Sequence, residues 1–168
     1  MNSKAGKVAR MGLLFALSMV LSLVEGALPA LPMLPPGMKL GLSNVVVMYC
    51  LFFLNAPCAY VLAVLKALFV FLARGFTAGL LSLCGGLLSV TVMLLCLQLK
   101  RLNLTYLSIS IAGAVCHNLG QTAAASLLLG SGMVLYYLPV VLCSGVVMGL
   151  LTGLVLKASM PLFQHIQR

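Results

Sequence analysis

A single acidic residue, Glu25, stands against ten lysines and arginines in this chain of 168 residues. Apolar residues make up 63% of the sequence and charged residues 7%, whereas soluble domains are roughly a quarter charged. The mean hydropathy is +1.22. Long apolar stretches separated by short basic connectors are typical of a polytopic membrane protein. The sequence therefore predicts an all-α bundle of membrane-spanning helices.

The lone carboxylate also restricts the chemistry that the chain can perform. Acid–base catalysis by paired carboxylates needs two acids, and a metal–diphosphate site usually needs several. The chain has no phosphate-binding loop of the Gly-x-x-x-x-Gly-Lys-Ser/Thr type. Its six cysteines lie in apolar segments without a Cys-x-x-Cys motif, where cysteine behaves as a small apolar residue. We therefore predict a protein that is not an enzyme, without catalytic residues, cofactor or metal site.

The net charge of +9 is interpreted as a topology signal. The basic residues are scattered singly at the ends of apolar segments, and no basic stripe exists to follow a nucleic-acid backbone. With six spans and a cytoplasmic N-terminus, most bases fall on the cytoplasmic side, as the positive-inside rule requires: Lys4, Lys7, Arg10, Lys100, Arg101, Lys157 and Arg168. This pattern predicts a multi-pass protein in the lipid bilayer with both termini in the cytoplasm.

Breaks in the apolar pattern divide residues 1–168, a single integral membrane domain, into six predicted spans. A Pro-rich connector follows the first, Asn55-Ala56-Pro57 separates the second from the third, and Gly130-Ser131-Gly132 precedes the sixth. The second and third predicted spans are short for crossing a bilayer. The alternative is that they form a re-entrant pair that enters and leaves the membrane on the same side. The predicted spans are 11–28, 40–54, 58–73, 77–97, 104–129 and 133–156.

Small residues recur on one face of several spans. Such faces let helix backbones approach closely in lipid, either inside the bundle or at a docking surface for another membrane subunit. The fourth span has such a face at Gly75, Gly79, Ser82, Gly86 and Ser89, the sixth at Gly145, Gly149 and Gly153, and the first at Gly12 and Ala16.

Polar side chains inside a span are costly unless they face a partner or a cavity. Glu25 lies toward the outer end of the first span, and Lys66 and Arg74 lie in the third. Pairing of Glu25 with Lys66 or Arg74 would neutralise the buried acid. One acid cannot neutralise three bases, so a cation facing a cavity would suit an anionic ligand. For Lys39 and Arg74 the alternative is that the side chain extends to the membrane surface.

The fifth span carries His117, Asn118 and Gln121, which the helical spacing is expected to place on one side. These residues either form hydrogen bonds that hold neighbouring helices together or line the bottom of a binding pocket. We favour the pocket. With Asn44 in the second span, the predicted substrate-binding set is Lys39, Asn44, Lys66, Arg74, His117, Asn118 and Gln121, with Glu25 as a charge partner.

Four ordered motifs resemble a known family. They are Pro36-Gly-Met-Lys-Leu-Gly-Leu-Ser-Asn44, Ser82-Leu-Cys-Gly-Gly-Leu-Leu-Ser89, Gly113-Ala-Val-Cys-His-Asn-Leu-Gly-Gln121 and Tyr136-Tyr-Leu-Pro139. Together they resemble the bacterial Gx transporter family, which is also labelled heptaprenyl diphosphate synthase component I. The likeness covers almost the whole chain.

The resemblance implies one of two functions. The family is similar to the substrate-binding (S) components of energy-coupling factor transporters, which have six helices, cytoplasmic termini and a pocket toward the outside. In those proteins a small-x-x-x-small motif in the first helix docks the coupling subunit, and Gly12-x-x-x-Ala16 matches it with Gly in place of the first Ala. The other family label implies a membrane companion of a prenyl diphosphate synthase, and a chain without Asp cannot be the catalytic subunit.

We therefore expect a bacterial inner-membrane protein that captures a small anionic or acceptor-rich substrate for an ATP-driven importer, with the ATPases in partner subunits. The alternative is a non-catalytic companion of an isoprenoid diphosphate synthase. A third possibility is an autonomous carrier, although the chain shows no inverted repeat.

Overall fold

The computed structural model describes residues 4–27, 42–99, 104–130 and 132–166, and all regular structure in these ranges is helical. The all-α prediction is therefore confirmed for this part of the chain. A short 3₁₀ helix (Gly132–Tyr137) precedes the last α-helix. The α-helices are α1 (Lys4–Ala27), α2 (Asn44–Phe53), α3 (Ala56–Arg74), α4 (Phe76–Gln98), α5 (Tyr106–Leu129) and α6 (Leu138–Ile166).

Local sequence signals explain where the helices begin and end. The Asn55 side chain accepts a hydrogen bond of 2.9 Å from the Cys58 amide and caps α3, with Pro57 in the first turn. The Thr105 hydroxyl accepts one of 3.2 Å from the Ser108 amide and caps α5. Gly75 has a φ of 91° in the connection between α3 and α4, a conformation that side-chain-bearing residues rarely adopt. The breaks are therefore encoded locally.

In the part of the chain that the structure describes, four helices are long and apolar enough to cross a membrane: Ala5–Ala27, Ala56–Arg74, Phe76–Gln98 and Leu138–Ala158. Among the other two, α2 has 10 residues and extends about 15 Å, half of the ~30 Å hydrocarbon core. Helix α5 has 24 residues, a sufficient length, but it carries many polar side chains. The structure thus supports a multi-pass membrane protein with four apolar candidate spans among the described residues, and the division into six spans stays a prediction.

Helix α5 lies between α4 and α6, which explains its polar composition. The α3–α4, α4–α5 and α5–α6 pairs make the most extensive helix contacts. A methyl group added to Gly85 of α4 would lie 2.7 Å from the His117 carbonyl oxygen of α5. One added to Gly149 of α6 would lie 2.5 Å from the Cα of Ile111. Because neighbouring helices cover both sides of α5, most of its polar side chains are buried and shielded from lipid.

Most small residues on the faces of the fourth and sixth predicted spans pack inside the bundle, whereas Gly75 is exposed and a methyl group added to it would meet nothing within 4 Å. Gly79 of α4 lies against the backbone of Phe71 in α3, and Gly86 lies against Ala63. The α6 glycines lie against Val115, Ile111 and Leu107 of α5. Of the two interpretations, the structure therefore supports internal packing for these faces.

Helix α1 lies at the periphery, where it packs against α3 and α2. Large apolar side chains such as Leu13, Val20 and Leu23 are more than half exposed and suit contact with lipid. Its opposite face is polar and buried: Ser18, Ser22 and Glu25 are 0%, 5% and 6% exposed. The spacing of four and three residues places these three side chains on one face of the helix, so α1 brings the carboxylate into the bundle.

Candidate ligand-binding site

Polar side chains from α1, α3, α4 and α5, with Ser43 before α2, converge on one small cavity, here called the charged cavity. Its ionisable and amide groups are Glu25, Lys66, Arg74, His117 and Gln121. Hydroxyl groups come from Ser22, Ser43 and Ser82, and Val70 and Ala78 complete the lining. The volume is about 20 Å³, room for roughly one water molecule.

His117 and Gln121 form the α5 side of the charged cavity. They are 2% and 5% exposed, and 3.1 Å separates their Nε2 atoms. The amide nitrogen of Gln121 can only donate, so the imidazole accepts at Nε2 and a neutral ring carries its proton at Nδ1. His117 Nδ1 and Gln121 Oε1 make no hydrogen bond of good geometry in the described part of the chain, although the imidazole lies close to the Gly85 backbone of α4. The pair thus offers one buried donor and one buried acceptor to a ligand.

Lys66 supplies a buried cation to the charged cavity. Its side chain is 3% exposed at the middle of α3, and its ammonium donates a hydrogen bond to the Asn44 side-chain oxygen at the start of α2. An ammonium at this depth is stabilised by polar neighbours and can bind an anionic group as a point charge. The structure therefore brings two of the predicted site residues into direct contact.

Glu25 and Arg74 bring further charge to the cavity. Glu25 is 6% exposed, whereas Arg74 is exposed at the end of α3 and also lines a neighbouring cleft of about 200 Å³ between α1 and α3. Ser22 and Val70 belong to both spaces. One acid and two bases therefore line one cavity beside an open cleft. Pairing of Glu25 with Lys66 or Arg74 stays a prediction.

Comparison with known proteins identifies the family. A profile described as heptaprenyl diphosphate synthase component I matches residues 14–159. The chain belongs to this family. The resemblance that the sequence motifs suggested is therefore confirmed, and the match covers every described residue of the charged cavity. No curated protein and no solved structure gives a significant match to the chain.

In this member of the family, Asn118 does not line the charged cavity. Its amide donates to the Val141 carbonyl oxygen at 2.9 Å and to the Ser144 hydroxyl at 3.2 Å, both in α6. Asn118 continues the row of α5 residues that faces α6, after Ile111 and Val115. The Asn118 amide is thus turned toward α6, as the 100° turn per residue after His117 allows, and a role of Asn118 in substrate binding stays a prediction.

Two other predictions concern residues away from this site. Lys39 lies outside the described residues. Gly12 and Ala16 are exposed on α1, and a methyl group added to Gly12 would meet nothing within 4 Å. The docking role of this pair stays a prediction.

The sequence analysis missed the hydroxyl groups of the cavity. Ser22 lies three residues before Glu25, and this helical spacing was a signal that it shares the carboxylate's face. Ser82 was assigned to a packing face, although a small polar side chain can both permit close packing and line a cavity. Ser43 gave no comparable signal.

Proposed function

We propose that this protein binds a small anionic solute inside a helical bundle of the bacterial cell membrane. The observation that carries the proposal is the charged cavity, where buried Lys66 lies beside the unsatisfied polar atoms of His117 and Gln121. Buried polar atoms without partners are rare in stable cores and are expected where a ligand or water completes the hydrogen bonds. The cation selects an anionic group, and the His117–Gln121 pair recognises a neighbouring donor and acceptor.

In the proposed role, the chain is the substrate-capture component of an ATP-driven importer of the energy-coupling factor type. The six helices would form an S-component-like bundle with both termini in the cytoplasm. The likeness of the sequence motifs to that class supports this role, and so does the exposed Gly12–Ala16 pair on α1, a surface suited to another membrane helix. The energy would come from partner ATPases.

Native mass spectrometry of the detergent-purified full chain tests the proposal. We expect the protein to retain a small molecule, and His117→Ala to release it. Leu127→Ala is the matched control, because Leu127 lies on the same helix but is 84% exposed. Equal retention by a folded His117→Ala variant and by the control would contradict the proposed site.

The family match favours a second candidate function. The description of the family as heptaprenyl diphosphate synthase component I suggests a membrane companion of a prenyl diphosphate synthase. The single acid of the chain excludes a catalytic role that needs several carboxylates, so the companion would anchor or position the enzyme. Stoichiometric co-purification of a soluble prenyl diphosphate synthase, without a retained small molecule, would support this function over transport.

A further inference from the structure

A second polar cavity lies beyond Lys66. It has a volume of about 10 Å³ and lies among α2, α4, α5 and α6. Three thioethers and three hydroxyl groups line much of it, and we call it the thioether cavity: Met48, Met93, Met148, Ser89, Ser110 and Thr152. All six side chains are at most 5% exposed, so it lies in the interior of the bundle.

The hydrogen bond between Lys66 and Asn44 connects the linings of the two cavities. Lys66 lines the charged cavity and Asn44 lines the thioether cavity, and the Lys66 ammonium donates to the Asn44 side-chain oxygen. This hydrogen bond is here called the partition. The Lys66 cation belongs to the lining of the charged cavity, and the Asn44 amide belongs to the lining of the thioether cavity.

As the structure shows them, the cavities hold about one water molecule each, so an organic ligand or reagent enters only where lining side chains move aside. An anionic group that enters the charged cavity would compete with Asn44 for Lys66, because a charge-assisted hydrogen bond to an anion is stronger than one to an amide oxygen. Displacement of the Asn44 side chain would join the two spaces.

We propose that the two cavities form one binding site, in which the anionic group of the ligand replaces Asn44 at Lys66. This inference rests on the function proposed above and extends it. The uncharged part of the ligand then lies in the thioether cavity. Methionine side chains adapt their shape to a bound group and make favourable contacts with aromatic rings.

The hydroxyl groups of the thioether cavity define the ligand further. Ser110 donates its hydrogen to the Gly149 carbonyl oxygen at 2.7 Å, and Thr152 donates to the Met148 carbonyl oxygen at 2.6 Å. Their hydrogens are used, so both oxygens can only accept from a ligand. The substrate class is therefore a small organic anion whose uncharged part carries an N–H or O–H donor, rather than an inorganic anion.

Thiol labelling with an anionic reagent tests the partition. Ser82 and Ser89 lie seven residues apart on one face of α4, the first in the charged cavity and the second in the thioether cavity. Ser82→Cys and Ser89→Cys are nearly isosteric and form a matched pair. The probe is 2-sulfonatoethyl methanethiosulfonate, applied to the full chain in membrane vesicles. Peptide mass spectrometry measures the rate of thiol labelling at each position. Cys50 is fully buried, so it should stay unlabelled as long as the protein is folded.

We expect Asn44→Ala to accelerate labelling of Ser89→Cys by about tenfold, the effect of losing one hydrogen bond to a charged group. The labelling rate of Ser82→Cys should change by less than about twofold when Asn44 is replaced, because a reagent that enters through the charged cavity reaches Ser82 without passing Asn44. Asn44→Asp should slow labelling of Ser89→Cys, since a carboxylate would hold Lys66 in place.

The two failures can be told apart. If Ser82→Cys reacts but Asn44→Ala leaves the rate at Ser89→Cys unchanged, the joined site is refuted and the charged cavity remains a binding site. If Ser82→Cys does not react while the protein is folded, the charged cavity does not admit anions. This result would refute both the proposed function and the joined site.

Discussion

His117 and Gln121 lie one turn apart on α5, with 3.1 Å between their Nε2 atoms, and each keeps a second polar atom without a partner among the described residues. Asn118, the neighbour of His117, uses its amide in two hydrogen bonds to α6. Adjacent residues of one helix therefore have different roles: His117 faces the charged cavity, and Asn118 holds two helices together.

This difference predicts opposite effects for two substitutions. His117→Ala should abolish ligand retention, whereas Asn118→Ala should keep the ligand but lower the free energy of unfolding by about 1–3 kcal/mol, because Asn118→Ala removes the hydrogen bonds to the Val141 carbonyl oxygen and to Ser144. Native mass spectrometry measures retention, and thermal unfolding in detergent measures stability. Loss of ligand in Asn118→Ala without destabilisation would instead place Asn118 in the site.

Substitution of Gly149 tests the close contact between α5 and α6. The new methyl group in Gly149→Ala would lie 2.5 Å from the Cα of Ile111, and backbone atoms cannot move aside cheaply. We expect a loss of about 1–3 kcal/mol in the free energy of unfolding. Gly12→Ala is the matched control, since nothing lies within 4 Å of its added methyl group; it should be neutral or stabilising by up to about 1 kcal/mol. Equal stability of the two variants would show that α5 and α6 are farther apart.

Glu25→Gln tests the charge balance of the cavity. The substitution keeps the size of the side chain and removes the only carboxylate side chain of the protein. Because Glu25 competes with an anionic ligand for the bases of the same cavity, we expect the Kd of the retained ligand to fall by about tenfold. Binding measured by titration calorimetry, with thermal unfolding as the control for folding, checks this. An unchanged Kd would remove Glu25 from the site.

Gly12→Leu tests the proposed docking surface on α1. A leucine at this exposed position should block close approach of a partner helix and abolish co-purification of the coupling subunit, while ligand retention stays unchanged. Leu17→Ala is the control, because Leu17 is also exposed on α1 but lies on another side of the helix. Equal loss of the partner in both variants would mean that docking does not depend on the Gly12–Ala16 face.

Much of the candidate site could be predicted because intramembrane polar residues are costly. Glu25, Asn44, Lys66 and His117 were found on that ground, and the structure places them at the two adjoining cavities. The contact of Asn118 with α6 could not be predicted, because the spacing of polar residues does not say which neighbouring helix a side chain meets. The hydroxyl groups of Ser110 and Thr152 were missed, since serine and threonine can satisfy their own helix backbone and carry little cost in a span.

The sequence by itself determined the all-α class, the break at Asn55-Ala56-Pro57, and the family, because composition, capping and motif order are local properties. Only the tertiary structure decided that α5 lies between α4 and α6, which allows a long helix to carry His117, Asn118 and Gln121. It also decided that Lys66 meets Asn44 across 22 positions of the chain. Contacts between helices depend on which faces pack together, and neither hydropathy nor periodicity specifies the partner of a face.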